Sequence, residues 1–199
     1  DKEFMSVDPE TGRVIISWTN FTSPGTIPGD AEISTTYSDD IMTGLPPAWS
    51  VRSILNAASA IGDGDQGSVP RFAGNGSSDV YVAWSTFPAY STNNIGFAKS
   101  SDNGASWSPP IILTSNFFTM DYVLGNDRVH NLPSLAVDNS AGPNGGTIYV
   151  VYANNDGHDG ADIFVQRSIY GGTSFSPPIA LNSRPGADRA QWFPFVTVD

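Results

Sequence analysis

Two Asp-Arg dipeptides occupy matching places in this 199-residue sequence. Asp127-Arg128 and Asp188-Arg189 each begin six residues before a proline, at positions 133 and 194. An arginine guanidinium binds a carboxylate through two parallel hydrogen bonds, and a carboxylate accepts hydrogen bonds from hydroxyl groups. The pairs therefore suit polar or carboxylate-bearing sugars. The alternative is that each pair ties down a connection between two structural units.

A second group of side chains suits a cation. Asp156, Asp159 and Asp162 lie within seven residues of one another, separated by Gly157 and Gly160. Carboxylate oxygens are preferred ligands of Ca²⁺, but the order of residues is not that of an EF-hand loop, so a solvated acidic loop is the alternative. The two histidines are isolated and show no zinc spacing. We therefore expect no required cofactor, with Ca²⁺ as the one candidate ion.

Residues 100–113 have the composition of a tight turn followed by an apolar plug. An aspartate in such a turn accepts hydrogen bonds from backbone N–H groups, and a glycine can adopt a positive φ. A second serine offers a further hydroxyl partner, and a tryptophan folds back over the turn. In chain order, the motif consists of Ser100, Asp102, Gly104, Ser106 and Trp107.

The turn motif recurs in altered form on both sides of this stretch. Residues 168–181 repeat it with Tyr170 in place of the aspartate and Phe175 in place of the tryptophan. A longer copy spans residues 38–55 and places Trp49 in the aromatic position. In all three copies the aromatic residue precedes a leucine by six positions. Fixed internal spacing with variable connections is typical of repeated supersecondary units.

Each copy of the motif follows two other short apolar runs, so that one unit holds four β-rich runs separated by turn residues. Successive units are 61 to 67 residues apart, and the chain has 20 Gly and 15 Pro. These features predict an all-β fold, a β-propeller of four-stranded antiparallel blades. The predicted blades cover about residues 1–62, 63–126 and 127–186, and residues 187–199 supply the first strand of a further blade.

The order Ser-x-Asp-x-Gly-x-Ser-Trp resembles the Asp-box, or BNR repeat, of the sialidase-like β-propellers. That resemblance implies a six-bladed ring, of which about three blades are present here. It also implies that the Asp-box turns are structural and lie far from the ligand. The sequence is then a fragment, and the remaining blades come from the same parent chain or from another chain.

The same resemblance indicates where a ligand would bind. In the propellers that this chain resembles, the ligand site lies on the side formed by the loops between second and third strands and by the links between blades. We name this side the loop face, and the opposite side, which carries the Asp-box turns, the turn face. The ligand-binding candidates assigned to the loop face are Arg71, Tyr90, Asp127, Arg128, His130, Asp188 and Arg189.

Three functions remain open at the level of sequence. The first is a secreted or cell-surface sialidase-like module that binds a glycan or another extracellular ligand on the loop face. The second is a glycoside hydrolase of the exo-sialidase type, whose catalytic set is completed by the missing blades. The third is a non-catalytic scaffold in a surface assembly. Sialidases carry an Arg-Ile-Pro signature, whereas the nearest match here is Val69-Pro70-Arg71, in reversed order, so no catalytic residue is assigned.

The acidic composition disfavours some partners. Twenty acidic against nine basic residues give a net charge of −11, and binding to nucleic acid needs a basic surface. No apolar run has the length of a membrane span. We therefore expect no nucleic-acid partner and no membrane insertion. A surface with few Lys and much Asn, Ser, Thr and Gly predicts an extracellular or cell-surface protein.

Overall fold

The computed structural model describes residues 1–22, 30–43, 46–57, 64–87, 93–117, 122–123, 126–127, 132–154, 161–182 and 190–198. Within these ranges the chain forms fourteen strands and a single 3-10 turn at Ile41–Thr43. The strands are β1 (Phe4–Val7), β2 (Val14–Phe21), β3 (Ala31–Ser38), β4 (Ser53–Asn56), β5 (Gly64–Phe72), β6 (Val80–Phe87), β7 (Asn93–Ser100), β8 (Ile111–Phe117), β9 (Tyr122–Val123), β10 (Asn126–Asp127), β11 (Ser134–Val137), β12 (Ile148–Asn154), β13 (Asp162–Ser168) and β14 (Ile179–Ala180).

Twelve of these strands form three antiparallel sheets whose strand order is the chain order. Blade 1 is β1–β4, blade 2 is β5–β8 and blade 3 is β11–β14, while β9 and β10 pair as a short hairpin between blades 2 and 3. Trp18, Trp84 and Tyr152 hold the same fifth position in the second strands of the three blades. The predicted all-β fold with three four-stranded blades is therefore confirmed.

The C-terminal stretch is described over residues 190–198 and has no hydrogen-bonded strand partner there. Its assignment, as residues 187–199, to the first strand of a further blade stays a prediction. The stretch lies beside blade 3, where the backbone N–H of Val196 donates to Ser134 Oγ at 3.2 Å.

The central strand of blade 2 shows how the sheets stack. Alternate side chains of a strand point to opposite faces of its sheet. Val82 and Trp84 belong to an apolar cluster with Ile33 of blade 1, whereas Tyr81 and Ala83 belong to a cluster with blade 3. The continuous apolar run of β6 is therefore buried on both sides, because a blade lies against each face.

In blades 2 and 3, the aromatic residue of the Asp-box turn inserts between its own blade and the preceding one. Trp107 of blade 2 packs against the apolar clusters shared with blade 1. Phe175 of blade 3 meets Phe97 of blade 2 edge to face, with ring centroids 4.9 Å apart. Trp49 of blade 1 is 41% exposed, because none of the described strands covers that side of blade 1.

The turns between first and second strands are linked from blade to blade on the turn face. Glu10 of blade 1 accepts a 2.6 Å hydrogen bond from the backbone N–H of Gly76 in blade 2. Asn75 of blade 2 in turn donates to the backbone oxygen of Ser140 in blade 3. These contacts hold the three blades in a fixed arc. In the described ranges, no helix combines the length and the apolar character that crossing a membrane requires.

Candidate functional site

The Asp-box turn of blade 2 is a closed hydrogen-bond network. Asp102 accepts from Ser100 Oγ at 2.7 Å, from the backbone N–H of Ser106 at 2.8 Å and from Ser106 Oγ at 2.5 Å. Ser100 Oγ also accepts from the backbone N–H of Gly104. The hydrogen bonds from Ser106 and Ser100 lower the pKa of Asp102 to about 2. Both carboxylate oxygens of Asp102 accept hydrogen bonds from within the turn, which favours a structural role.

The other two copies keep part of the same network. In blade 1, Asp40 accepts from Ser38 Oγ and from the backbone N–H of Ala48, the residue before Trp49. In blade 3, where Tyr170 replaces the aspartate, Ser168 Oγ still accepts from the backbone N–H groups of residues 170 and 172. Thr173 Oγ1 closes that turn by donating to the Tyr170 carbonyl oxygen.

Most of the ligand-binding residues predicted from sequence fall outside the described residues. Asp127 lies in β10, which is described in its backbone alone. The remaining candidates outside the described residues are Tyr90, Arg128, His130, Asp188 and Arg189, together with the predicted calcium ligands Asp156 and Asp159. Arg71 and Asp162 are the candidates whose side chains the structure describes.

Arg71 lies inside the arc and away from the loop face to which the sequence assigned it. It is the eighth residue of β5 and pairs with Tyr81, close to the turn that joins β5 to β6. Its Nη1 donates to the Pro70 carbonyl oxygen at 2.8 Å. Among the described residues it has no ion pair, and burial lowers the pKa of its guanidinium. The reason for the correction is the length of β5, which carries Arg71 far from the strand's start.

Two cavities meet at Arg71. One, of about 270 Å³, lies toward the loop face, where β1 and β11 begin. The other, of about 280 Å³, lies toward the turn face and is lined by the ends of the same inner strands. Besides Arg71, the walls of the first cavity are formed by Phe4, Val69, Leu132, Pro133, Ser134, Phe193, Pro194 and Phe195. A cation set among aromatic and aliphatic side chains is suited to a ligand with one anionic group and an apolar face.

Buried carboxylates lie at the loop-face ends of two strands. Glu32 is 6% exposed and pairs with Arg52 at 2.7 Å, and it also accepts from Asn20. Asp65 is 2% exposed and accepts from Asn56 Nδ2 at 2.5 Å. A carboxylate held in this way anchors a loop and offers little to a ligand. Asn56 directly follows Leu55, the last residue of the repeated motif, so the repeat offers a sequence signal by which this position could be found.

In blade 3 the asparagine after the repeat leucine also binds a buried carboxylate, but here the carboxylate, Asp162, belongs to the same blade. It is fully buried at the start of β13, and its Oδ1 accepts a hydrogen bond from Asn182, which directly follows Leu181. Asn182 Nδ2 also donates to Gln191 Oε1 at 2.9 Å. Within the described ranges, no three side chains of His, Cys, Asp or Glu form a group that could hold a metal ion. Calcium binding through Asp156, Asp159 and Asp162 stays a prediction.

Comparison with known proteins supports the fold alone. No protein-family model and no curated protein matches the sequence. Among solved structures, the chain is similar to Hadza microbial sialidase Hz136, with a TM-score of 0.60 and 13% identity. The likeness covers 89% of this chain and 37% of that one, so the chain spans little more than a third of the sialidase's length. It is also similar, with a TM-score of 0.41 and 14% identity, to the GH43 protein BlXynB from Bacillus licheniformis, covering 91% of this chain and 41% of that one.

Proposed function

We propose that this chain is part of a sialidase-like propeller module that binds a carboxylate-bearing glycan, or another extracellular ligand of the same charge, between its inner strands. The observation that carries the proposal is Arg71, a half-buried cation that has no ion pair among the described residues. In a chain with 20 acidic and nine basic residues, a half-buried arginine without an acidic partner among the described residues needs a reason. A ligand carboxylate supplies one, since it can accept two parallel hydrogen bonds from the guanidinium.

The walls of the cavity support a sugar as the rest of the ligand. Phe4, Phe193 and Phe195 are 43%, 63% and 76% exposed, although each lines the cavity. Aromatic rings of this kind offer flat apolar surface to the C–H face of a ring-shaped ligand, and a small number of polar groups then fixes its orientation. Ser134, which lines the same cavity, adds a hydroxyl group.

Binding is tested by titrating N-acetylneuraminic acid, glucuronic acid and the uncharged N-acetylglucosamine into the full-length protein. The variant Arg71→Gln removes the charge from the cavity. Arg167→Gln is the matched control, because Arg167 lies exposed on β13 and lines neither cavity. The proposal expects saturable binding of the acidic sugars that only Arg71→Gln weakens, and equal binding by both variants would refute it.

A second candidate function is hydrolysis of a glycoside. The likeness to a sialidase favours it, and a retaining or inverting mechanism needs two carboxyl groups facing one cleft. Asp65 stands at the loop-face start of an inner strand, but its carboxylate is almost fully buried. Release of fluorophore from a fluorogenic sialoside by the full-length protein would favour hydrolysis. If the protein neither binds nor hydrolyses these sugars, the scaffold function is the remaining candidate.

We also propose that a further blade, from the same parent chain or from another chain, covers the outer side of blade 1. Trp84 and Tyr152 are fully buried against the preceding blade, whereas the equivalent Trp18 is half-buried and Trp49 is 41% exposed. A blade placed against this side would bury both tryptophans. Tryptophan fluorescence of the longer parent protein would then be shifted to the blue relative to the 199-residue chain, and an unchanged spectrum would contradict the proposal.

The proposed setting of the module is extracellular or at the cell surface, with no nucleic-acid partner and no required cofactor. The net charge of −11 supports the exclusion of polyanionic partners. Addition of Ca²⁺ tests the one candidate ion. If Asp156, Asp159 and Asp162 hold calcium, millimolar Ca²⁺ raises the unfolding temperature of the wild type but not of Asp159→Asn.

A further inference from the structure

A layer of neutral polar side chains lies between blades 1 and 2. Ser17 of β2 and Ser68 of β5 are fully buried, and Ser68 Oγ donates to Ser17 Oγ at 2.9 Å across the interface. Thr19 shares the face of β2 with Ser17, and Thr35 pairs with Ser17 from β3. Blade 1 therefore presents several hydroxyl groups, rather than aliphatic side chains alone, to blade 2.

Blade 2 presents polar atoms to the same layer. The Trp84 indole packs in the cluster with Ile33 and Leu55 of blade 1, and Thr86 shares its face of β6. Trp107 packs against the same interface from the Asp-box turn. Among the described residues, the buried atoms here without a protein hydrogen-bond partner are Thr19 Oγ1, Thr35 Oγ1, Trp84 Nε1, Thr86 Oγ1 and Trp107 Nε1.

Such atoms rarely stay without a partner in a folded protein, because burying an unpaired donor or acceptor costs the free energy of its lost hydrogen bonds to water. The two indole N–H groups are donors only, so each needs an acceptor, and among the described residues no acceptor forms a hydrogen bond with either of them. A small molecule that both donates and accepts hydrogen bonds would supply the partners that the indoles and the threonines lack.

Blade 3 meets the same requirement with protein atoms. Tyr152, which is equivalent to Trp84, donates from its hydroxyl to Gln166 Oε1 at 2.9 Å. Gln166 pairs with Val150 in β12, as Ala98 pairs with Val82 in β6. Ala98 therefore occupies the position of Gln166 in blade 2, where it has less volume and no polar side-chain atom.

We propose that the interface between blades 1 and 2 is a binding site for ordered internal water, held by Thr19, Thr35, Trp84 and Thr86. Water is the ligand that fits, because all four side chains are neutral and together offer both donors and acceptors. Neutral hydroxyl and indole groups do not match the charge of a metal ion or an anion. Internal water of this kind is an integral part of many folded proteins.

The decisive pair of variants is Thr35→Val and Thr35→Ser. With water bound, Thr35→Val removes one of its partners and lowers the urea midpoint of unfolding, while Thr35→Ser keeps the hydroxyl and lowers it less. Without water, valine removes a hydroxyl that has no partner, so the midpoint of Thr35→Val stays equal to that of the wild type or rises. The sign of the change therefore separates the two accounts.

A direct measurement keeps the proposal testable if either variant fails to fold. A crystal structure of the wild-type chain at high resolution is expected to show water within hydrogen-bond distance of Trp84 Nε1. Nuclear Overhauser cross-peaks between water and the Trp84 indole N–H, assigned with Trp84→Phe, give the same answer in solution. An interface without water density and without cross-peaks would overturn the proposal.

Discussion

Arg13 of blade 1 reaches the Asp-box turn of blade 2, where its Nη1 donates a 3.0 Å hydrogen bond to the backbone oxygen of Asn103. The same guanidinium pairs with Asp39 and lies 4.1 Å from the centre of the Tyr37 ring. The pairing with Asp39 also raises the pKa of Arg13, so its charge is fixed. The Asp-box turn thus packs against the preceding blade, and its residues stabilise the contact between the two blades.

Gly104 in that turn is expected to tolerate a side chain less well than a glycine that does not contact another blade. Its φ is +88°, and a Cβ there would lie 2.8 Å from Ile15 Cδ1 of blade 1. Gly12 is the matched control, because its φ is +75° and a Cβ would meet nothing within 4 Å. Gly12→Ala should cost about 1–2 kcal/mol of unfolding free energy through backbone strain, and Gly104→Ala clearly more. Equal costs in urea unfolding would show that the turn does not press against blade 1.

The box tryptophans are expected to contribute unequally to stability. Trp107→Ala should lower the free energy of unfolding by about 3–5 kcal/mol, the range for a large aromatic packed between blades. Trp49→Ala should cost less than half as much in the 199-residue chain, because Trp49 is 41% exposed. Chemical denaturation of both variants provides the comparison. Similar losses would mean that Trp49 packs as tightly as Trp107.

Blade 3 can be stabilised by restoring its missing aspartate. Asp102 and Asp40 each accept from the backbone N–H of the residue before the box aromatic, and Ser174 holds that position in blade 3. Tyr170 is 66% exposed, so its replacement loses little packing. Tyr170→Asp should therefore raise the free energy of unfolding by about 1 kcal/mol, the net value of one such hydrogen bond. Tyr170→Ala, which provides no acceptor, should give no gain, and a gain of the same size in both variants would contradict the mechanism.

The Asp-box of blade 2 should make stability depend on acidic pH. The pKa of Asp102 is lowered from 3.8 to about 2 in the folded chain. A lowered folded-state pKa gives stability that is present above the unfolded value and is lost as pH falls toward the folded value. The stability difference between wild type and Asp102→Asn should therefore shrink between about pH 4 and pH 2. A difference that stays constant over that range would show that the Asp102 charge does not stabilise the turn.

The sequence was sufficient for the blades because their signals are local. Turn residues such as Asp102 and Gly104, and short apolar runs such as Val80–Trp84, specify one sheet from neighbouring residues. The same signals repeat at nearly constant spacing, which identifies a propeller before any contact is known. Contacts between blades, such as Gly172 against the ring of Phe97, bring together residues about 75 positions apart in the chain and have no local signal.

The candidate site was harder to predict for a related reason. The sequence analysis assigned Arg71 to the loop face according to the blade in which it lies. Its position along β5 depends on where that strand begins, and the residues around Gly64 do not indicate the start of a strand. The anchoring of Asp65 by Asn56 and of Asp162 by Asn182 joins separate strands. The position of both asparagines directly after a repeat leucine is the local signal that the sequence offers for them.

The central functional claim is that Arg71 binds the carboxylate of a sugar. Isothermal titration of N-acetylneuraminic acid into the full-length protein and its Arg71→Gln and Arg167→Gln variants tests it most directly. The account predicts saturable binding that falls at least about tenfold in Arg71→Gln, the loss of one charge-assisted interaction, and stays unchanged in Arg167→Gln. Equal affinity in all three proteins, or no binding by the wild type of any acidic sugar, would contradict it.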